Sequence, residues 1–596
     1  MYKQAIILTR LCDTNNYLSP YNLRQQSLFR QHVDNSMKAH FSTILFTATF
    51  LLLNACGGGG GNDSTPVPAI TITSITPADK STDVSVNIVL SVRFAKDIDP
   101  NTLTNSSFTL SNNNTVSGVI VYDSTTFTAT FTPDETLLSN TLYTAKLTTS
   151  ITDSGGVALD QIYTLTFTTA RDILFFNAND GVIGNELWKT DGTEAGTITV
   201  KDIYSGSGHS SPTQLTVFNN TLYFRASDGI NGTKLWKSDG TEVGTVMVKD
   251  IDGHFISSPD ELSVFNNILY FIANDGVNGR ELWKSDGTEA GTAMVKDIYS
   301  GGFNSDPGDL TALNNILYFY ANDGVNGHAL WKSDGTEAGT AMVKDIYSGL
   351  GSFPPRYLTV FNDTLYFAAS DGINGIELWK SDGTEAGTIM VKDIYSGSGH
   401  SSPTQLTVFN NTLYFIADDG VNGTKLWKSD GTEVGTVMVK DINGHFISPT
   451  NGLSVFNNIL YFTANDGAHG YELWKTDGTK TGTTMTKDIN SGGAHSLPKY
   501  LTPYNGTLYF QANDDTHGYE LWKTDGTEAG TVLVKDINPG NFNSSPYGLF
   551  TFNNTLIFAA DDGTHGYELW TSDGSEAGTV ILKDIHTAGS SNPFAQ

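Results

Sequence analysis

The chain has 596 residues, with 63 acidic against 34 basic side chains and a net charge of −29. That length exceeds one ordinary domain. The charge argues against a nucleic-acid partner, whose phosphates need Lys and Arg, and it favours solubility and suits cation binding. The two cysteines, Cys12 and Cys56, precede the folded part, which leaves no internal disulfide or thiolate metal site.

From the N-terminus, Phe41 to Leu53 is an apolar run too short to span a bilayer. Lys38 and His40 precede it, and Leu53-Asn54-Ala55-Cys56 follows. A basic region, an apolar stretch and a small-residue cleavage site make residues 1–56 a signal region. Met37 fits a natural start better than Met1. The LNAC tetrapeptide resembles the bacterial lipobox. That resemblance implies a Cys56 diacylated on its thiol, a mature N-terminus there, and a membrane as partner through the lipid. Gly57 after the cysteine resembles lipoproteins of the outer membrane, some of them surface-exposed. Residues 57–69, five glycines and then Ser, Thr and Pro, read as a flexible tether.

Residues 70–170 alternate in short runs: ITITSITP, NIVLSVRFA, SFTLS, GVIVYD, FTATFTP, LYTAKLTT and YTLTFTT. Seven such strands with turn signals between them predict a two-sheet sandwich. Thr76-Pro77-Ala78-Asp79, Phe131-Thr132-Pro133, Leu142-Tyr143-Thr144 and Thr152-Asp153-Ser154-Gly155-Gly156 resemble the bacterial Ig-like domain of the S-layer-protein type. The resemblance implies a spacer or adhesive module.

From 171 to 596 one motif recurs nine times, anchored on Trp188, Trp236, Trp283, Trp331, Trp379, Trp427, Trp474, Trp522 and Trp570. A fixed period of that size means an array of one supersecondary unit. In the copy Leu215 to Ile251, strands are predicted at Leu215–Phe218, Thr221–Ala226, Lys234–Lys237 and Val246–Ile251. Asn219-Asn220 suits a tight hairpin with positive φ. Four antiparallel strands per copy match a blade of a β-propeller. The chain is therefore expected to be all-β: an Ig-like sandwich followed by a large propeller of eight to nine four-stranded blades. The first copy's inner strand is expected from Thr168 to Arg171, a segment that also reads as the last strand of the sandwich, and no inner strand is read after Ile585. Glu281-Leu282-Trp283-Lys284-Ser285-Asp286-Gly287-Thr288 resembles the bacterial ELWxxDGT repeat family, whose label carries little biochemistry. The repeated tryptophan reads as inter-blade packing.

Each copy carries an aspartate eight residues before its tryptophan: Asp180, Asp228, Asp275, Asp323, Asp371, Asp419, Asp466, Asp514 and Asp562. Asp before Gly stabilises a tight turn. The sharper reading is a calcium site per blade, with a nearby glutamate such as Glu281, because hard cations want clustered oxygens. Lys234, Ala329 and Lys425 replace that glutamate in three copies. Variation concentrates between blades, in Ser205 to Gln214, Asp252 to Glu261 and Gly301 to Asp309. Phe303, Phe353, Arg356, His254, His445 and Phe542 lie in such segments, where partners usually dock.

Tether, spacer and rigid head suggest a non-catalytic, surface-tethered protein whose propeller binds a glycan or protein, as in adhesion. The alternatives are a propeller enzyme acting on polysaccharide and a purely structural envelope protein. No metalloprotease, esterase or paired-carboxylate constellation stands out in the sequence.

Overall fold

The computed structural model describes residues 68–251, 261–349, 353–442 and 452–594. Cys56, the signal region, most of the tether, His254 and His445 lie outside them. The described residues divide into two compact units, one ending at Asp172 and the other beginning at Ile173.

The first unit is a sandwich. A four-stranded sheet runs in the order Ile72–Thr76, Leu90–Phe94, Thr128–Pro133 and Gly118–Asp123. A five-stranded sheet runs Ser81–Val84, Tyr163–Thr169, Leu142–Leu147, Phe108–Ser111 and Thr115–Val116. Every alternating run forms a strand. Ser81–Val84 and Thr115–Val116 add two that are too short to show alternation. Period-two patterning turns Leu90, Val92 and Phe94 inward, onto Phe108, Phe131 and Phe167, all at most 1% exposed.

The second unit is a run of nine antiparallel sheets, the first with three strands and the other eight with four. The second sheet is representative: Thr213–Phe218, Thr221–Ser227, Thr233–Ser238 and Val246–Lys249, in sequence order. Its hairpin residues Asn219 and Asn220 take φ of 47° and 60°, the left-handed region that asparagine tolerates.

Each sheet packs on the next through one set of side chains. Phe218, Tyr223, Leu235, Val248 and Ile251 of the second sheet meet Leu269, Phe271, Ala273 and Trp283 of the third. The tryptophan is thus the anchor of the inter-sheet core. A lysine reinforces each contact: Lys249 Nζ donates to the Thr292 carbonyl of the following sheet at 2.8 Å. The ninth sheet meets the first in the same way. Phe552, Ile557, Leu569, Leu582 and Ile585 pack on Leu174, Phe176, Ala178 and Trp188, and Lys583 Nζ donates to the Thr197 carbonyl at 2.7 Å.

The first sheet departs from expectation. Thr168 and Thr169 belong to the sandwich strand Tyr163–Thr169, so they supply no inner strand to the first repeat. Instead, Asn179 N donates to Ser591 O at 2.9 Å and Phe594 N donates to Asn177 O at 3.2 Å. In the second sheet the matching bond runs from Ser227 N to Ser210 O, just ahead of the inner strand. The segment after Ile585 therefore occupies the inner-strand side of the first sheet. It is too short to show a strand pattern in the sequence.

Strand direction alternates, so each sheet has two distinct ends. One holds the Asn-Asn hairpins and the Asp-Gly-Thr turns. The other, the linker end, holds the Asp-Gly loops before the third strand and the segments leading to the next sheet.

Candidate binding face

The nine aspartates before the tryptophans sit in the loops of the linker end, and eight of them share one hydrogen-bond arrangement in full. Asp228 Oδ1 accepts Ile230 N at 2.9 Å and Asn231 N at 2.7 Å, while Oδ2 accepts Asn231 Nδ2 at 2.6 Å. Asp275, Asp323, Asp371 and Asp419 repeat this with an asparagine. In Asp466, Asp514 and Asp562 the partner is a histidine ring nitrogen, of His469, His517 and His565. Asp180 makes the two backbone bonds and has Ile183 in place of a side-chain donor. This is turn chemistry. Among the described residues, no three His, Cys, Asp or Glu side chains form a group that could hold a metal ion.

The glutamate two residues before the tryptophan has a different place. Glu186, Glu281, Glu377, Glu472, Glu520 and Glu568 are fully buried. Glu281 Oε2 accepts Ile298 N at 3.0 Å and Ser305 Oγ at 2.6 Å, and Oε1 accepts Ser305 N at 3.1 Å. All six latch the linker segment in this way, through Ser210, Ser305, Ser401, Ser496, Ser544 and Ser591. The two lysine copies use another pairing: Lys234 meets Asp250 at 2.7 Å and Lys425 meets Asp441 at 3.7 Å.

Burial outweighs the donors and pushes Glu281, Glu377, Glu472 and Glu520 up to about 7. The fold therefore holds more protons than the unfolded chain between about pH 4.3 and about 7. Stability should fall as pH rises through that window. The turn aspartates, such as Asp286, are lowered chiefly by the Thr288 hydroxyl and act the other way, losing stability below about pH 4. A melting-temperature profile should peak near pH 5. A peak at pH 8 would contradict the latch electrostatics.

The linker end also carries the residues that do not repeat. At the start of the six-residue inner strands, those of sheets two, four, five, six, eight and nine, the register shifts, as between Thr213 and Thr216 or Arg356 and Thr359. The second residue there takes a left-handed φ: Gln214 56°, Asp309 60°, Tyr357 63°, Gln405 55°, Tyr500 58° and Gly548 63°. A bulge of this kind re-aims a side chain, and here its occupant changes from copy to copy. Glu261 holds the same repeat position in the third copy. It accepts the backbone N–H groups of Asp309 and Leu310, and Asp309 Oδ2 accepts Leu358 N at 2.8 Å. These two neighbouring carboxylates escape a motif scan, because only alignment of the copies puts them in register.

Sheets three to five gather a further group. Arg280 Nη1 donates to Asp306 at 2.8 Å. His328 lies edge-on to Tyr320, with ring centroids 5.8 Å apart. Arg356 sits over the Phe353 ring at 5.7 Å. Burial, and then the charge of Arg356, holds His328 below its ordinary range, while Asp306 pulls it upward. Of the expected loop residues, Phe303 and Phe542 are 58% and 65% exposed. Sheets one to six also present an exposed aliphatic side chain in the Asp-Gly loop, such as Ile230 at 88% or Val421 at 87%.

A family model described as a bacterial Ig-like domain matches residues 66–169. The first unit is a bacterial Ig-like domain. No curated protein matches the chain. Among solved structures, a puromycin hydrolase aligns at 13% identity over 58% of this chain and 58% of that one, with a TM-score of 0.33. An L,D-transpeptidase from Mycobacterium smegmatis aligns at 19% identity over 18% and 43%, with a TM-score of 0.14. The N-terminal part of a bacterial S-layer protein aligns at 15% identity over 28% and 42%, with a TM-score of 0.15. The chain spans less than two thirds of each of these.

Proposed function

We propose that the nine sheets form a closed nine-bladed β-propeller whose linker face binds a glycan or protein. We further propose that a lipid on Cys56 and the Ig-like domain display this head from the cell envelope. One observation carries the binding reading: the two ends of the sheets differ in how far the copies agree. The hairpin end keeps Asn-Asn or a close substitute in the eight four-stranded copies and Asp-Gly-Thr or Asp-Gly-Ser in all nine. At the linker end, Gln214, Glu261, Asp309, Tyr357, Gln405, Gly452, Tyr500 and Gly548 stand at one repeat position. Packing constrains all copies alike, so residues that differ at one position answer to something other than packing. The equivalence of the ninth-to-first contact with the other eight supports closure.

Glu261 and Asp309 are the observation that favours an enzyme, since they put two carboxylates at one repeat position in successive copies, Glu261 just ahead of its inner strand and Asp309 within its own. Both are at most 8% exposed and hold backbone N–H groups. That work suits positioning better than proton transfer, so our reading is non-catalytic. A glycan and protein array probed with the mature chain tests it. Binding should appear with calcium or with chelator, and the melting temperature should stay within about 1 °C between the two. Silence on the whole array would overturn the reading, and a melting temperature that falls in chelator would favour calcium at the nine turn aspartates.

A further inference from the structure

From Ile173 onward the second unit contains three arginines, Arg225, Arg280 and Arg356, in a chain of net charge −29. Its lysines are largely committed to the scaffold, as Lys237 is to the Gly287 carbonyl at 2.9 Å. Arg280 is committed to Asp306. Arg356 forms no ion pair among the described residues, and it lies partly buried over Phe353. Its Nε is buried without a hydrogen-bond acceptor. Two further polar atoms share that state. They are His328 Nδ1, on the fourth sheet and within reach of the Arg356 charge, and Thr404 Oγ1, at the start of the next inner strand and at the same repeat position as Arg356. Buried polar atoms in native proteins are nearly always satisfied by protein, water or ligand. A guanidinium is a planar fork that fits a carboxylate, whereas an imidazole and a hydroxyl serve hydroxyl groups as donor or acceptor.

We propose that Arg356, His328 and Thr404, at the linker end of sheets four to six, form a subsite for the carboxylate-bearing sugar of an acidic glycan. Arg356 takes the carboxylate, and Phe353 holds the guanidinium plane in position. His328 and Thr404 take ring hydroxyls. The mixture of donors and acceptors around one cation favours a polyhydroxylated acid over an acidic peptide. The proposal rests on the binding reading above and narrows it to one place and one ligand chemistry.

The test is calorimetric titration of the full mature chain, in detergent, with an oligogalacturonate, a neutral oligogalactoside of equal length and a poly-glutamate peptide. The oligogalacturonate should bind, and added salt should weaken it. Arg356→Ala should weaken it about 10- to 100-fold and Arg356→Lys by less, because lysine keeps charge but loses the fork. Thr404→Val should weaken it a few-fold, with the melting temperature unchanged as the check on folding. Equal affinity for the neutral sugar, equal affinity in Arg356→Ala, or Arg356-dependent binding of poly-glutamate would each overturn the subsite. A ligand found on the array that ignores Arg356 would overturn the subsite and leave the binding face standing. Silence on the array as well would overturn both.

Discussion

Glu281→Ala should lower the free energy of unfolding by about 3 kcal/mol or more. The substitution leaves Ile298 N, Ser305 N and Ser305 Oγ without their acceptor, inside a site where Glu281 is 0% exposed. Each buried donor left unpaired costs about 1–3 kcal/mol, and the removed side chain adds a cavity. Ser305→Ala removes a single donor and should cost about 1 kcal/mol. The chain supplies its own comparison: Phe353 stands as far after Ala329 as Ser305 stands after Glu281. In the Ala329 copy, where the acid is lost without a charged replacement, the polar partner is lost with it, as expected if the pair acts as a unit. Urea denaturation of both variants checks this, and a Glu281→Ala cost under about 1 kcal/mol would show that the latch is dispensable.

Phe594→Ala should be nearly as damaging, with an effect confined to one seam. Phe594 is 6% exposed, with Phe176 of the first sheet at 5.4 Å and Phe550 of the ninth at 5.3 Å. Truncating a buried phenylalanine costs about 3–5 kcal/mol. Its ring touches both sheets, so the loss should separate them while leaving the other eight contacts intact. Amide hydrogen exchange should accelerate in Leu174–Asn179, the second-strand equivalent of the first repeat, and hardly change in Ile316–Asn322. Uniform acceleration through all sheets, or none, would contradict a local seam.

Much of this fold was legible because the period and the strand alternation are written nine times. The Asn-Asn turns, the four strands of a copy and the packing role of the tryptophans follow from residue chemistry that tertiary context does not overrule. The first repeat is ambiguous in the sequence for a physical reason. Thr168 and Thr169 have β propensity, but propensity does not say which sheet a strand joins, and the sandwich claims them. Ser591 and Phe594 gave no signal because their strand-like bonds are two isolated contacts rather than a run.

The candidate face was legible only in part. The loops were the right region, and Phe353 and Arg356 were singled out within them. Glu261, Asp309 and His328 were not, since each looks ordinary beside its sequence neighbours. Their meaning appears when they are compared with Gln214, Gln405 and Arg280 at equivalent positions. The sequence offers the glutamates as a calcium arm, whereas their hydrogen-bond partners stand 17 and 24 residues later in the chain, as in the Glu281 bonds to Ile298 and Ser305, a separation that no local motif reveals.

Everything assigned to the linker face depends on nine sheets arranged so that nine linker ends point the same way. Electron-microscopy projections of the mature chain test that arrangement most directly. Closure predicts a single ring with nine evenly spaced densities around a central opening, with the Ig-like domain outside the count. An open arc, two smaller rings, or a ring of eight with a detached ninth sheet would contradict it.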